Sequence, residues 1–329
     1  MTAGRGCLLV LGIVLAIAGP VARVTEAQSP RLVKIGALTE SWGPTPAIVG
    51  LRDGLQELGY RENQDFVIGV RFTQGNPAEL PEAARALVQR GVDIIVASSG
   101  GANAAKAAQM ATTRIPIVFI GGSDPIEAGL VKSFARPGGN ITGIADLEVE
   151  LVPKRMEIFR ELIPGLKRIL LVYDATNPDT ASRLEVHRNA AHRLGLTLVE
   201  RPVRTEEEAR TAISAVRKGE VDGFFSPRAA SLNIPGLILE ITPKRAIPTM
   251  FHDAIFVEQA GLASYSGNVY ELGRQAARMV DKILKGARPA DIPVEQPTKF
   301  ELVINLKAAK ALGITIPQSI LGRADRLID

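Results

Sequence analysis

Three polar loops, each following a predicted β-strand, contain side chains suited to binding a small molecule. The loops are Thr39-Glu40-Ser41-Trp42, Ser98-Ser99-Gly100-Gly101 and Gly121-Gly122-Ser123-Asp124. Hydroxyl and carboxylate groups supply hydrogen bonds, and glycines let the backbone approach a ligand closely. Ligands of open parallel sheets bind beyond the carboxyl ends of the strands, where such loops converge. The predicted ligand-binding residues in this half are Thr39, Glu40, Trp42, Ser98, Ser99, Gly100, Ser123 and Asp124.

Several of these residues also have a purely structural interpretation. The helices predicted to begin after Gly101 and Asp124 would offer free backbone N–H groups, which favour an anionic group such as a carboxylate. Ser and Asp at these positions could instead only cap the helices. The single tryptophan, Trp42, could pack in the core, or it could cover a ligand by stacking or by a cation–π contact. Because three such loops lie on one edge of the sheet, we favour the ligand-binding interpretation over the structural one.

The second half of the chain has polar residues at matching positions. The segments are Asp174–Asp179, Ser226-Pro227-Arg228 and His252-Asp253. Asparagine and aspartate could bind an amine or a hydroxyl group of the ligand. The predicted residues here are Asn177, Ser226, Pro227 and Asp253. Arg228 could pair with a carboxylate, although a solvated loop charge is the interpretation we prefer.

The sequence contains none of the common motifs of enzymes. G-x-S-x-G, Walker A and G-x-G-x-x-G motifs are absent. His187 and His192 are five residues apart on one predicted helix, so they lie on different faces, and His252 is isolated. The acidic run Glu206–Glu208 begins a helix, where negative charge is favourable. We therefore predict no catalytic residue, no metal site, no cofactor and no enzymatic activity.

Short β-branched runs alternate with amphipathic helices, which is the pattern of parallel sheets covered by helices on both faces. The predicted strands are Leu32–Leu38, Phe66–Phe72, Asp93–Ala97 and Ile115–Gly121, then Arg168–Tyr173, Leu196–Val203, Val221–Ser226 and Ile247–Phe251. A short helix is predicted from Pro125 to Phe134, and a long one over Val269–Leu284. This predicts an α/β fold with two Rossmann-like lobes, for which a ligand cleft between the lobes is the usual reason.

The end of the chain predicts a hinge of three adjacent strands. We expect the chain to cross between lobes near Ala145–Leu147, Ala263–Tyr265 and Ile292–Val294. The first lobe would contain residues 28–145 and 264–292, and the second lobe residues 146–263 and 293–329. Three parallel crossings would bend along one axis, so the lobes could close on a ligand.

The first 27 residues are predicted to be a signal peptide. The apolar run Leu8–Ala18 is short for a membrane span, which needs about 20 apolar residues. Thr25-Glu26-Ala27 places small residues before a cleavage site after Ala27. A membrane anchor is the alternative, but Cys7, the only cysteine, is wrongly placed for a lipoprotein. The remaining chain has 37 basic and 34 acidic residues, which is too balanced for a nucleic-acid surface.

Four stretches resemble the ABC transporter substrate-binding proteins of the tryptophan/tyrosine type. They are Ile115–Gly143, with S-D-P and P-G-G-N-I-T-G, Ala263–Gly286, Pro293–Gly313 and Ile316–Asp329. The resemblance implies the type I periplasmic-binding-protein fold and a monomeric periplasmic receptor that closes on an amino acid or related carboxylate. It also implies delivery to an ABC permease in the inner membrane. The pocket loops of the family fall on the residues proposed above.

Two departures from the family lie in these loops, so the resemblance by itself does not identify the solute. Thr39-Glu-Ser-Trp-Gly-Pro replaces a His-Pro-type segment, and Ser226-Pro-Arg replaces a more acidic loop. An exported sensory module that presents its ligand to a receptor would use the same fold and remains an alternative. A secreted α/β enzyme is another alternative, but no set of catalytic residues supports it. A sugar ligand also stays open.

Overall fold

The computed structural model describes residues 31–41, 43, 45–98, 102–122, 124–176, 180–227, 232 and 234–329. The chain divides into Met1–Arg31 and a compact unit, Leu32–Asp329. The predicted signal peptide lies outside the described residues. In the part of the chain that the structure describes, no helix is both long enough and apolar enough to cross a membrane.

Strands and helices alternate along the compact unit, as the sequence pattern predicts. The strands are β1 (Val33–Thr39), β2 (Phe66–Phe72), β3 (Ile94–Ser98), β4 (Ile117–Ile120), β5 (Ile141–Ile144), β6 (Arg168–Asp174), β7 (Thr197–Val203), β8 (Gly223–Phe225), β9 (Thr249–Phe251), β10 (Ala263–Gly267), β11 (Phe300–Asn305) and β12 (Arg326–Ile328). The helices are α1 (Pro46–Glu57), α2 (Leu80–Gln89), α3 (Asn103–Ala111), α4 (Val152–Leu162), α5 (Thr180–Arg193), α6 (Glu206–Ser214), α7 (Ile234–Ile241), α8 (Ala254–Glu258), α9 (Val269–Leu284), α10 (Leu306–Ala311) and α11 (Gln318–Leu321).

The first sheet is entirely parallel, with the strand order β2-β1-β3-β4-β5. Helices α1 and α9 pack on one face, around Ile35, Val96 and Ile144. Helices α2 and α3 pack on the other face, around Leu38 and Phe119. Because both faces are covered, every residue of β3 and β4 is buried. This explains their nearly continuous apolar sequence.

The second sheet has the strand order β12-β11-β10-β9-β8-β6-β7. Its strands are parallel except at the β10–β11 pair, which is antiparallel. Helices α4, α5, α10 and α11 cover one face, and α6 and α7 cover the other. The predicted α/β class with two parallel sheets is therefore confirmed.

Helices α1 and α9 approach each other closely because glycines lie at their contact. A Cβ atom on Gly50 would lie 1.9 Å from the carbonyl oxygen of Tyr270, and one on Gly273 would lie 2.0 Å from that of Ala47. Any larger residue at either position would therefore separate the helices. Through this contact α9, which follows the second sheet in the sequence, packs on the first sheet.

The chain passes between the two sheets in three segments. The first follows β5. The second follows Gly267, where β10 ends in the second sheet and α9 begins on the first. The third follows Glu295, whose backbone pairs with Gly143 and Ala145 beside β5. The second and third passages come a few residues later than predicted. The reason is that β10 stays paired in the second sheet up to Gly267, and the third segment stays paired beside β5 up to Glu295. The division into lobes stays a prediction.

The segment predicted as a helix from Pro125 to Phe134 forms turns instead, so this prediction is wrong. The N–H groups of Leu130 and Val131 both donate to the carbonyl oxygen of Pro125, at 2.9 and 3.2 Å. Gly129 has a φ angle of +71°, which an α-helix cannot accommodate. The apolar periodicity of the segment reflects the burial of Leu130 and Val131 against the sheet, not a helix.

Candidate solute-binding site

The carboxyl ends of the strands in the first sheet lie at one level. Thr39 pairs with Ser98, and Ser98 pairs with Ile120 on the next strand. Thr39 and Ser98 are the last residues of β1 and β3, and both are buried. The structure therefore brings together these two predicted residues at the edge where ligands of parallel sheets bind.

The first loop is organised by the hydroxyl group of Thr39. This hydroxyl donates to the Ser41 hydroxyl and accepts from the Ser41 N–H, both at 3.2 Å. The backbone oxygen of the half-buried Glu40 accepts from the N–H of Gly75 at 2.6 Å. The turn is thus fixed by its own hydrogen bonds, and it holds a hydroxyl group at the sheet edge.

The second and third loops differ in how the backbone N–H groups that follow them are bonded. Helix α3 begins after Ala102. The side chain of Ala102 has no acceptor, so it cannot cap the first N–H groups of α3. In contrast, the Asp124 carboxylate accepts from the N–H groups of Ile126 and Glu127, both at 3.0 Å. Our expectation of free N–H groups after Asp124 is therefore wrong. Asp124 instead accepts hydrogen bonds from the first N–H groups of the turns that replace the predicted helix.

The candidate residues of the second half that the structure describes lie just after the ends of β8 and β9. Ser226 and Pro227 are buried, and the Ser226 N–H donates to the carbonyl oxygen of Met250 at 2.9 Å. The Ser226 hydroxyl donates to the Pro227 carbonyl at 3.3 Å. Asp253 is half-buried and accepts from the N–H of Ile255 at 3.0 Å, which makes it the N-cap of α8. These residues follow neighbouring strands at the same edge of the sheet.

Five predicted residues lie outside the described ranges. They are Trp42, Ser99, Gly100, Ser123 and Asn177. Arg228, which we interpreted as a loop charge, lies outside them as well. The roles of these residues remain predictions.

A buried ion pair beside the first interlobe segment was missed in the sequence. The Arg155 guanidinium lies 3.1 Å from the Glu148 carboxylate, and their side chains are 1% and 4% exposed. The Nε–H of Arg155 donates to the carbonyl oxygen of Tyr265 on β10 at 3.0 Å, and its Cζ lies 5.9 Å from the ring centre of Phe225. Arg155 therefore joins the segment after β5 to the end of the second sheet.

His187 is another buried polar group on this side of the sheet. Its Nδ1 lies 2.7 Å from the carbonyl oxygen of Arg183, and its ring packs edge-on against Phe225. Burial lowers the pKa of His187, so the ring is neutral near pH 7. Among the described residues, no group of His, Cys, Asp and Glu side chains could hold a metal ion. His187 is thus a packing residue.

Comparisons with known proteins agree along nearly the whole compact unit. A family model described as ABC transporter substrate binding protein matches residues 33–328. A tyrosine-binding protein from Clostridioides difficile is 28% identical over 291 residues, covering 88% of this chain and 82% of that protein. A crystal structure of a conserved domain protein from Vibrio cholerae is 30% identical, with a TM-score of 0.79, over 90% of this chain and 99% of the other.

A second similar crystal structure is that of a complex with an amino acid. It is an ABC domain in complex with L-Trp from Streptococcus pneumonia, 30% identical with a TM-score of 0.78, over 90% of this chain and 99% of that one. The order of strands and helices in the two sheets is that of type I periplasmic binding proteins, as the sequence resemblance implied. With the family model matched from Val33 to Ile328, the chain belongs to the family of ABC transporter substrate-binding proteins.

Proposed function

We propose that this protein binds an aromatic L-amino acid, such as tryptophan or tyrosine, between its two lobes and delivers it to an ABC importer. The observation that carries this proposal is the similarity over 90% of the chain to a structure in complex with L-Trp. The similarity to a tyrosine-binding protein points to the same class of solute. Membership of the family and the predicted signal peptide support an exported location in the periplasm and a permease partner.

The proposed mechanism is closure of the lobes around the solute. Thr39 and Ser98 would bind from the first lobe, and Ser226 and Asp253 from the second, with Trp42 covering the aromatic ring. A ligand that contacts both lobes binds the closed form better than the open form, so it shifts the population towards closure. No bond is made or broken in the solute.

A binding panel tests this proposal. The chain without residues 1–27 is mixed with L-tryptophan, L-tyrosine, L-phenylalanine, sugars and nucleosides, and thermal unfolding is followed. An amino acid present at about 100 times its Kd stabilises the folded protein by about 2.7 kcal/mol. Recovery of the unaltered amino acid by chromatography supports binding without turnover. Stabilisation by sugars alone, or by none of the panel, would reject the proposal.

A pair of matched variants locates the site. Thr39→Val keeps the shape of the side chain but removes the hydroxyl group, so we expect about a 5- to 10-fold weaker Kd from the loss of one hydrogen bond. The control is Thr242→Val, since Thr242 directly follows α7 and its buried hydroxyl donates to the Ile238 carbonyl of that helix at 2.7 Å. The control lowers the unfolding temperature and leaves the Kd unchanged. Equal Kd values for both variants would move the site away from Thr39.

A further inference from the structure

Two hydroxyl groups on β10, just before the second passage between the sheets, are buried. Ser264 is fully buried and Ser266 is 7% exposed. Among the described residues, neither side-chain oxygen has a hydrogen-bond partner. A buried hydroxyl that makes no hydrogen bond costs about 1–3 kcal/mol. Such groups occur where a ligand or an ordered water completes the bonding.

The neighbour of Ser266 across the sheet is an acidic residue. In the antiparallel β10–β11 pair, Ser266 lies directly opposite Glu301, so both side chains extend from the same face of the sheet. Glu301 is 9% exposed, and its Oε2 accepts from the side-chain amide of Asn268 at 3.0 Å. Since β11 begins at Phe300 and β10 ends at Gly267, the pair lies at the sheet edge where β8 and β9 also end.

Charges of both signs lie around Glu301. Burial raises the pKa of Glu301, whereas Arg326 and the hydrogen bond from Asn268 lower it, and the Asp253 and Asp325 carboxylates make smaller contributions that raise it. Arg326 is itself in an ion pair with the Glu258 carboxylate. Because Arg326 is already paired with Glu258, the buried Glu301 carboxylate, with the half-buried Asp253 nearby, is suited to a cationic partner.

A primary ammonium group fits this arrangement in charge and in hydrogen bonding. It carries three N–H donors and no acceptor. Carboxylate oxygens of Glu301 and Asp253 and the hydroxyl oxygen of Ser266 are acceptors. We propose that Ser266, Glu301 and Asp253 bind the α-ammonium group of the solute at the hinge side of the second lobe. This inference rests on the proposed function, in which the solute is an amino acid.

The position of this site explains how ammonium binding would act on closure. Glu301 is bonded to Asn268, whose Oδ1 accepts from the N–H of Glu271 and so caps α9. The N–H of Asn268 also donates to the carbonyl oxygen of Lys299, which joins the second and third passages. An ammonium group on Glu301 would therefore be held next to the segments that bend.

Isothermal titration with matched solutes tests the inference. The probes are L-tryptophan and indole-3-propionate, which lacks only the ammonium group, with L-tyrosine and 3-(4-hydroxyphenyl)propionate as a second pair. We expect the unaltered protein to bind the amino acid of each pair with a lower Kd than the deaminated analogue. In Glu301→Gln, loss of a charged hydrogen bond weakens amino-acid binding about 10- to 100-fold and leaves the deaminated analogue unchanged. Ser266→Ala weakens the binding of the amino acid by about 5-fold and leaves the binding of the deaminated analogue unchanged.

Two further variants keep the test independent of folding. Asp253→Asn retains an N-cap residue while removing the charge, and it lowers amino-acid affinity selectively. Glu240→Gln is the control, because Glu240 pairs with Arg210 at the surface and has 50% side-chain exposure. The control binds both members of each pair as the unaltered protein does. Thermal unfolding without ligand checks that every variant is folded.

The outcomes separate this inference from the proposed function. If the amino acids bind but Glu301→Gln, Ser266→Ala and Asp253→Asn keep the original preference over the deaminated analogues, the ammonium site is overturned and the proposed function stands. If no aromatic amino acid binds the unaltered protein, the proposed function fails and this inference fails with it. Selective loss of amino-acid binding in these variants supports both.

Discussion

Removing the buried guanidinium of Arg155 tests whether one ion pair holds the interlobe region together. In Arg155→Met, the Glu148 carboxylate loses the charge that lies 3.1 Å away. The carbonyl oxygen of Tyr265 also loses a donor at 3.0 Å. Both groups remain buried. The folded state therefore still has the free-energy cost of removing them from water, but it no longer has the interactions with Arg155 that offset this cost. We expect a large loss of stability.

The magnitude follows from the burial of the pair. Removing one partner of a buried ion pair costs about 3–5 kcal/mol. With an m-value of about 3 kcal/mol per molar urea, a loss of about 4 kcal/mol lowers the unfolding midpoint by about 1.3 M. In the double variant Arg155→Met with Glu148→Leu, no charge is left buried, and most of this loss should be recovered.

Urea unfolding followed by circular dichroism measures the effect, at pH 7 and without ligand. The control is Arg210→Met, since Arg210 pairs with Glu240 at the surface with 39% and 50% side-chain exposure. Exposed pairs contribute about 0–1 kcal/mol, so the control midpoint should hardly move. A fall in the Arg155→Met midpoint no larger than in the control would refute the reasoning. So would a double variant that is less stable than Arg155→Met.

Three more results are expected. Gly273→Ala places a methyl group 2.0 Å from the Ala47 carbonyl, so thermal unfolding should show a loss of about 1–3 kcal/mol or more; an unchanged unfolding temperature would contradict this contact. Because burial lowers the pKa of His187, the unfolded state binds a proton that the folded state does not. Stability is therefore present above about pH 6.5 and is lost as pH falls through the folded pKa; urea titrations of His187→Gln should show a weaker pH dependence. Burial and nearby carboxylates raise the pKa of Glu301, so the folded state binds the extra proton and its stability decreases as pH rises above the unfolded value, about 4.3. Glu301→Gln without ligand should then be at least as stable as the unaltered protein at pH 7.

The sequence predicts the elements well where their pattern is strong. Strand Phe66–Phe72 and helix Val269–Leu284 have the predicted bounds, because a β-branched run and a long amphipathic period have few other interpretations. The segment Pro125–Phe134 was mistaken for a helix, since turns that bury every third or fourth residue give the same pattern. Gly129 was the signal that could have corrected it.

The candidate site is less predictable than the fold. Thr39 and Ser98 could be found because strand ends of a parallel sheet share one edge. Ser266 and Glu301 could not, since their pairing depends on the register between β10 and an antiparallel strand, which brings together residues 35 positions apart. Arg155 follows Lys154 in an amphipathic helix and has the composition of an exposed position. Only the tertiary structure shows that it is buried.

The close contact between α1 and α9 also bears on the order in which the chain can fold. Leu272, Ala276 and Val280 of α9 complete the apolar cluster around Ile35 and Ile144. In synthesis, this helix follows β5 by more than 120 residues, so an emerging chain leaves that face of its first sheet uncovered until almost the whole polypeptide exists. Contacts between segments so distant in sequence slow folding. For a chain that is exported, as proposed for this protein, this delay lengthens the time during which the polypeptide is incompletely folded.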